Sequence, residues 1–435
     1  MFQFISVPEL TKTIIASFVG VLTLIGIMTR PFRWNEATIA MGGASLLLLL
    51  GLISPADAFF TLCRDWNTFL FFLGMMSLSA LAEAAGLFDW LAVQAARLAQ
   101  QSARRLFLNI FLLGTLISMI LSNDATALIL TPVVYVLVTK LRLPILPYLF
   151  ACTFIADTAS FLLPVSNPIN IIILSHFPLD LLTFLRLLLL PSLVVIGINI
   201  GIFFLLYRDE LQGQFKAERL PSANETIKHR AYFRYTCLVL IGVAVAYVLA
   251  SAARIPLSLV AGGAAFLLLV GALSWKQSTL RETGKRISWS IFGFIAGMSI
   301  VIRAIEDTGL AAGFGNWLLQ LSGGNSFGAV MVGTAGAALG TNLINNIPMA
   351  VMMSSALGSI QHAPVAVQHG FLAATMFGCD LGPNLTTVGS LATVLWLLIL
   401  RRQGIDVSGL DYFKVGVIVT PIMLLAGALT IWLLL

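Results

Sequence analysis

The chain runs through one apolar segment after another, each long enough to cross a bilayer: 12–29, 37–54, 67–87, 145–175, 180–207, 232–252, 256–274, 288–309, 364–399 and 412–434. In lipid every backbone N–H and C=O must find its partner within the protein, so such segments fold as helices and not as open sheets. Composition points the same way, since 59% of residues are hydrophobic and 10% charged, against roughly 25% charged in a soluble domain. The expected class is an all-α polytopic membrane protein. The first apolar run lacks a basic lead-in and a small-residue cleavage site, so it reads as a retained helix, not a signal peptide. Cys63, Cys152, Cys237 and Cys379 show no CxxC spacing and read as small apolar core residues.

Two further apolar stretches, 105–139 and 326–360, are interrupted near their middles by SNDATALILTP and TNLINNIPM. Arms of roughly 14 to 17 residues lie at or below crossing length, which predicts re-entrant hairpins. The expected architecture is ten spanning helices plus two hairpins, with twelve spanning helices as the alternative count. Either count puts 19 of the 25 basic residues on one side, among them Arg30, Arg33, Arg97, Arg104, Arg105, Lys140, Arg142 and those of 208–230, 276–286 and 401–402. The positive-inside rule makes that side the cytoplasm and both termini extracytoplasmic, as in a prokaryotic-type inner membrane protein. The net charge of +6 then belongs to cytoplasmic loops and calls for no nucleic-acid partner.

The chain also resembles itself. A shift of 222 or 223 residues sets Met76-Ser77 on Met298-Ser299, Glu83, Gly86 and Leu87 on Glu306, Gly309 and Leu310, Asn123 on Asn345, Asp157 on Asp380, and Val165 on Val388. The matches keep their order and fall on the polar interruptions. They divide the chain into a first repeat, 1–207, a cytoplasmic linker, 208–231, and a second repeat, 232–435. Five spanning helices and one hairpin per half make the two repeats inverted, the pattern of secondary transporters with broken helices at the midplane.

Polar groups at membrane depth are tolerated only where they line an enclosed or water-filled cavity. At the first tip Asn123 and Asp124 are expected to satisfy backbone left open by the reversal, with the arm from Ala125 aiming its positive end at the tip. Asn345 and Asn346 do so at the second, where Pro348 suits a first turn and Gly336 and Gly340 let the arms approach. Two more segments break in the same way. FIADTASFLLPVSNPINII carries Asp157, Ser166 and Asn167, and GCDLGPNLTTVGSLATVLWL carries Asp380, Thr387 and Ser390. Converging, the four elements make one pocket rich in neutral donors and acceptors, with a few acids and no lysine or arginine.

These same segments closely resemble those of the arsenical-resistance efflux pumps of ArsB type, over most of the chain. At greater distance the tip asparagines are similar to the Ser-Asn-Thr hairpins of sodium-coupled dicarboxylate carriers in the wider ion-transporter superfamily. The resemblance implies export of arsenite and antimonite in exchange for protons, by a transport domain moving like an elevator against a scaffold. It also implies association with a soluble arsenical-stimulated ATPase. The chain has no Walker A pattern, so any ATP hydrolysis belongs to that partner.

The residue chemistry suits this expectation. Arsenite near neutral pH is mostly an uncharged trihydroxide, which needs hydrogen-bond partners and no counter-ion. Asn123, Ser166, Asn167, Asn345, Asn346, Thr387 and Ser390 are the candidate substrate ligands. Capture by thiolate needs clustered cysteines, and only Cys379 lies in a site segment, so no metal site or cofactor is expected. Burial favours the neutral form of a carboxyl group, which makes Asp124, Asp157 and Asp380 candidate proton carriers. Asp124 leads, because it stands where the sodium-coupled relatives have threonine. Glu83, Arg303, Glu306 and Asp307 sit near helix ends and read as interfacial pairs, and His176, His229, His362 and His369 as loop or interface residues. One proton falling through roughly 100 mV supplies about 2.3 kcal/mol, close to a ~50-fold gradient of a neutral solute. A sodium/proton antiporter or anion carrier of the same superfamily is the alternative. A dicarboxylate would meet acids and no cation, a channel needs a continuous pore, and GCDLG lacks the GxGD order of intramembrane aspartyl proteases, so no enzyme is expected.

Overall fold

The computed structural model describes residues 9–29, 34–216, 218, 220, 222 and 225–435; Arg30, Arg33 and Arg219, counted above on the cytoplasmic side, lie outside them. The first half of the chain forms α1 (Glu9–Thr29), α2 (Glu36–Leu49), α3 (Pro55–Arg64), α4 (Trp66–Ala84), α5 (Leu87–Leu98) and α6 (Ala103–Ile120). A single turn, α7 (Asn123–Ala125), passes through a π-helical stretch (Thr126–Leu130) into α8 (Thr131–Leu141), followed by α9 (Ile145–Thr158), α10 (Pro168–His176) and α11 (Leu181–Leu206). The second half forms α12 (Arg230–Ala252), α13 (Leu257–Ser274), α14 (Leu280–Arg286), α15 (Trp289–Glu306), α16 (Leu310–Leu321) and α17 (Ser326–Ile344). It continues through α18 (Asn346–Gly358), α19 (Val365–Leu381), α20 (Leu391–Arg402) and α21 (Gly409–Leu434). Among the described residues the only pairing of β type is an isolated bridge between Ser102 and Gln214.

Nine helical runs among the described residues are long and apolar enough to cross a membrane, and three shorter ones are apolar. The protein is thus all-helical and multi-pass. Three of the four arms around the polar tips exceed the expected length: α6 has 18 residues, α7 to α8 run for 19, and α17 has 19, while α18 has 13. The run from α7 to α8 and α17 take in residues of the polar tips, whereas α6 starts earlier, at Ala103, and stops at Ile120. Four short helices, α3, α5, α14 and α16, escape a search for twenty-residue apolar runs: α3, α5 and α16 are apolar on one face only, and α14 is a polar stretch of seven residues.

The helices pack in two groups. In one, α4 lies along α13 and α15 along α2, with α12 and α1 beside them. Backbone meets backbone at both crossings: a Cβ on Gly74 would stand 2.7 Å from the Ala261 carbonyl carbon, and one on Gly297 would stand 2.5 Å from that of Ala40. Such small-residue contacts drive helix association in lipid, where apolar side chains gain little by leaving the acyl chains. In the other group α17 packs on α19, α11 on α21 and α6 on α9. Gly378 and Gly333 admit α17 to α19, as a Cβ on Gly378 would come within 2.7 Å of Ala337 Cβ. Gly340 faces Met349 across the second tip as expected, whereas Gly336 faces Leu318 of α16. Phe150, Phe154, Phe203, Trp396 and Tyr412 fill the middle of this group, with neighbouring ring centroids 5.0 to 6.2 Å apart. The polar segment after α11 docks on the start of α6, where Phe215 N donates to Gln101 O at 2.9 Å and Ala103 N to Gly213 O at 3.1 Å.

Candidate functional site

At the first tip the residue that closes the reversal is Ser122. Its Oγ accepts from Ala125 N at 3.2 Å, a helix cap that fills one of the first turn's open donors. Asn123 and Asp124, expected to do this, are freed for other contacts. Asn123 Nδ2 reaches Asp157 Oδ1 at 3.4 Å, and among the described residues the Asp124 carboxyl receives no hydrogen bond. The π-helical stretch follows at once, a local widening common at functional sites.

At the second tip Asn345 takes a positive φ of 74° and caps α18, its Oδ1 accepting from Ile347 N at 3.3 Å while its Nδ2 donates to Val388 O at 3.3 Å. Asn346 N donates to Gly389 O at 3.0 Å. Here a side chain on Gly389 would collide with Pro383 Cα at 2.7 Å. Asn342 tightens the same seam, donating to Gly382 O at 2.8 Å and accepting from Thr386 Oγ1 at 2.6 Å. The second tip is thereby fastened to the gap between α19 and α20.

Both predicted helix breaks are present. Between α9 and α10 the chain makes a 3-10 turn at Pro164–Ser166, and between α19 and α20 another at Gly382–Leu385. Prolines at these points remove the donors that would continue the ladder. After each break a polar residue restarts the helix: Asn167 Oδ1 accepts from Ile169 N at 3.1 Å, and Ser390 Oγ from Ala392 N at 3.2 Å. Asn167 does a second thing, since its Nδ2 donates to Asp380 Oδ1 at 2.7 Å. One asparagine therefore joins the start of α10 to a buried carboxyl group on α19.

Four of these elements meet at a narrow cleft lined by Asn123, Asp124, Asn167, Asn346 and Ser390, with Phe72 of α4 and Ile291 of α15 across from them. It leaves about 20 Å³ for the centres of water-sized molecules, room for about one water. Asp124 is the sole ionisable residue of the lining, and no lysine or arginine enters it. Asp157 and Asp380 are buried and outside the lining, each tied to it through a lining asparagine. One oxygen of each, Oδ2, lacks a donor among the described residues.

Not every expected ligand arrives. Ser166 turns into the break, donating to Met119 O at 3.3 Å and accepting from Leu163 N at 3.2 Å. Thr387 Oγ1 faces Gly409 at the start of α21, and Asn345 is spent on its cap. Cys379 is buried beside Asp380, outside the cleft. The interfacial acids pair as expected: Arg286 with Glu83 at 2.6 Å, and Arg303 with Glu306 at 3.4 Å and Asp307 at 2.8 Å. A second ring of polar residues surrounds the breaks, of which Asn170 and Asn199 went unremarked in the sequence. Asn170 donates to Ser160 O at 2.8 Å, Asn199 to Thr158 Oγ1 at 2.8 Å, and Asn384 to Phe154 O and Thr158 Oγ1 at 3.3 Å. Their signal was an asparagine inside an otherwise apolar helical run, costly in lipid unless bonded.

The family model described as arsenical pump membrane protein, ArsB, matches residues 15–434. The arsenical pump membrane protein of Escherichia coli K12 is 30% identical over 414 residues, covering 94% of this chain and 95% of that one. That of Yersinia enterocolitica is 29% identical over 413 residues, with the same coverage. An uncharacterized transporter of Mycobacterium tuberculosis is 29% identical over 420 residues, covering 92% and 94%. Among solved structures the Alcanivorax borkumensis YdaH transporter shares the fold, with a TM-score of 0.57 at 13% identity over 97% of this chain and 98% of that one. The chain belongs to the arsenical pump membrane protein family, and is a multi-pass membrane transporter of that family.

Proposed function

We propose that the protein exports arsenite and antimonite across the inner membrane in exchange for protons. The observation that carries this reading is the cleft itself: amide and hydroxyl groups from two tips and two helix breaks, one carboxyl group, and no cation. A neutral trihydroxide is a donor and acceptor all round, and such a lining matches it where a dicarboxylate would be repelled. Substrate capture falls to Asn123, Asn167, Asn346 and Ser390, with Asn345 shaping the tip; Ser166 and Thr387 have no part in it.

Coupling falls to Asp124, Asp157 and Asp380. The bond from Asn167 to Asp380 is charge-assisted while the carboxyl is ionised and weaker once it is protonated. Proton uptake at Asp380 therefore loosens a residue that holds both substrate and the start of α10. Asn123 and Asp157 stand in the same relation at longer distance. Asp124, with no hydrogen bond to hold it, lies where a proton and a substrate compete for one cleft.

The paired glycines Gly74 and Gly297, 223 residues apart, meet α13 and α2 in matching ways, and Gly86 and Gly309 open α5 and α16 with φ of 79° and 77°. Both observations favour two inverted repeats, 1–207 and 232–435, that interlock α4 with α13 and α15 with α2 as a scaffold. The tips and broken helices belong to the other group, which moves against it. The tips are then re-entrant, and both termini extracytoplasmic.

The test uses purified protein in inside-out liposomes and follows arsenite entry after an acid-inside pH gradient is imposed, with and without sodium. The expected result is accumulation that needs the proton gradient and ignores sodium. Sodium-driven pH change without arsenite movement would replace this reading by sodium/proton exchange.

A further inference from the structure

A second small cavity lies directly over the cleft. It too leaves about 20 Å³ for water-sized centres, and four helices that line the cleft, α4, α10, α15 and α18, line it as well, together with α3. On each helix its lining residue stands three or four positions from one that lines the cleft: Thr68 and Phe72 on α4, Ile172 and Ile169 on α10, Ile295 and Ile291 on α15, Val351 and Ile347 on α18. Three to four residues are one helical turn, about 5 Å, so the two spaces are stacked with a single layer of side chains between them. That layer is apolar and closed, as Phe72, Ile172, Ile291, Ile295, Ile347 and Val351 are each at most 8% exposed.

The upper cavity differs in chemistry from everything beneath it. Arg64, Asp65, His176, Ser299, Arg303 and Glu306 line it. Asp65 accepts from Ser299 Oγ at 2.6 Å, Arg303 pairs with Glu306, and Arg64 Nη2 meets His176 Nε2 at 3.2 Å. The last contact joins α3 to the end of α10, the helix that begins at Asn167. Charged, partly exposed side chains of this kind belong at a water-filled mouth, not in a packed core. Under the positive-inside orientation this mouth is extracytoplasmic.

We infer that substrate leaves the cleft between α4, α10, α15 and α18, through the apolar layer, into a release vestibule bounded by Arg64, His176 and Arg303. In the conformation described here the layer is shut, so the cleft is closed toward the outside. This route rests on the export reading above, and its test separates the two.

The experiment starts from the Cys63→Ser protein, since Cys63 is exposed beside Arg64. Ser175, exposed and at the vestibule edge, is changed to Cys and treated with a bulky membrane-impermeant maleimide in right-side-out and inside-out vesicles. Labelling from the extracytoplasmic face only is expected, followed by loss of arsenite export, with the unlabelled variant exporting as its parent does. Labelling from the cytoplasmic face, or full labelling that leaves export unchanged, would overturn the route. Failure of the unlabelled parent to move arsenite would instead count against the export reading, while the sidedness of labelling still tests where the vestibule opens.

Discussion

Asn167 bears two loads, and substitutions can separate them. Its Oδ1 caps α10 through Ile169 N and its Nδ2 holds Asp380. Asn167→Ala removes both. Loss of a cap costs about 1 kcal/mol and leaving a buried acceptor without its donor about 1–3 kcal/mol, so the variant should lose about 2–4 kcal/mol. Asn167→Asp keeps an acceptor at the helix start, where a carboxyl is favoured by the helix dipole, but puts a second carboxyl group where Asp380 had a donor. The contact then survives only with a proton between the two oxygens. Apparent melting temperature in detergent and proton-driven arsenite uptake in inside-out liposomes are the two assays. Asn167→Ala should lose both stability and uptake. Asn167→Asp should melt closer to the parent and still lose uptake. If Asn167→Asp transports as the parent does over the same pH range, the bond to Asp380 is no part of coupling. If Asn167→Ala melts as the parent does, the assigned cap and hydrogen bond do not contribute as argued.

Three further outcomes follow from the same geometry. Asp124→Asn keeps the side-chain volume at a position with no hydrogen bond to lose, so the protein should fold normally while proton-driven accumulation of arsenite in liposomes disappears. Gly297→Ala places a Cβ 2.5 Å from the Ala40 carbonyl carbon, an overpacking that costs typically 1–3 kcal/mol; melting in detergent should drop, whereas Gly263→Ala, with nothing within 4 Å, should not lower it. Glu83→Gln breaks a half-exposed pair with Arg286, worth less than about 1 kcal/mol, and should leave both melting and arsenite transport within error of the parent.

The sequence showed where the chain must stop being a regular helix, but not how it closes the breaks. Prolines and clustered asparagines in an apolar run are visible because lipid punishes them, and both breaks and both tips lie where that pattern put them. Which polar side chain turns inward is decided by packing. Ser122 took the capping role expected of its neighbours because a serine one position earlier reaches the open Ala125 N–H. Ser166 and Thr387 carry the same hydroxyl as Ser390, yet Ser166 is held inside the turn Pro164–Ser166 and Thr387 faces Gly409. Phe72 and Ile291 were illegible for the opposite reason. They are ordinary apolar residues in apolar helices, and only the approach of α4 and α15 to the tips gives them a place at the cleft.

A carrier of a neutral solute faces a particular difficulty, since it has no charge on its cargo through which to feel a proton. In the exchange proposed above an ion pair to the substrate is unavailable, so the proton must act on the groups that hold the substrate. Asparagine suits that task, because its carbonyl can stay on a helix end while its amide faces a carboxyl group. Asn167 is placed in this way. The alternative, a carboxylate touching the solute directly, is the role the proposal leaves to Asp124, which lines the cleft. The two sites make different demands on a single change: Asp380→Asn should leave a neutral bond to Asn167 and a bound substrate that no longer responds to the gradient, while Asp124→Asn should change binding itself. Equilibrium arsenite binding measured beside proton-driven uptake decides between them. Loss of uptake with binding intact in the Asp380 variant places coupling behind the cleft, and loss of both there would move it into the cleft.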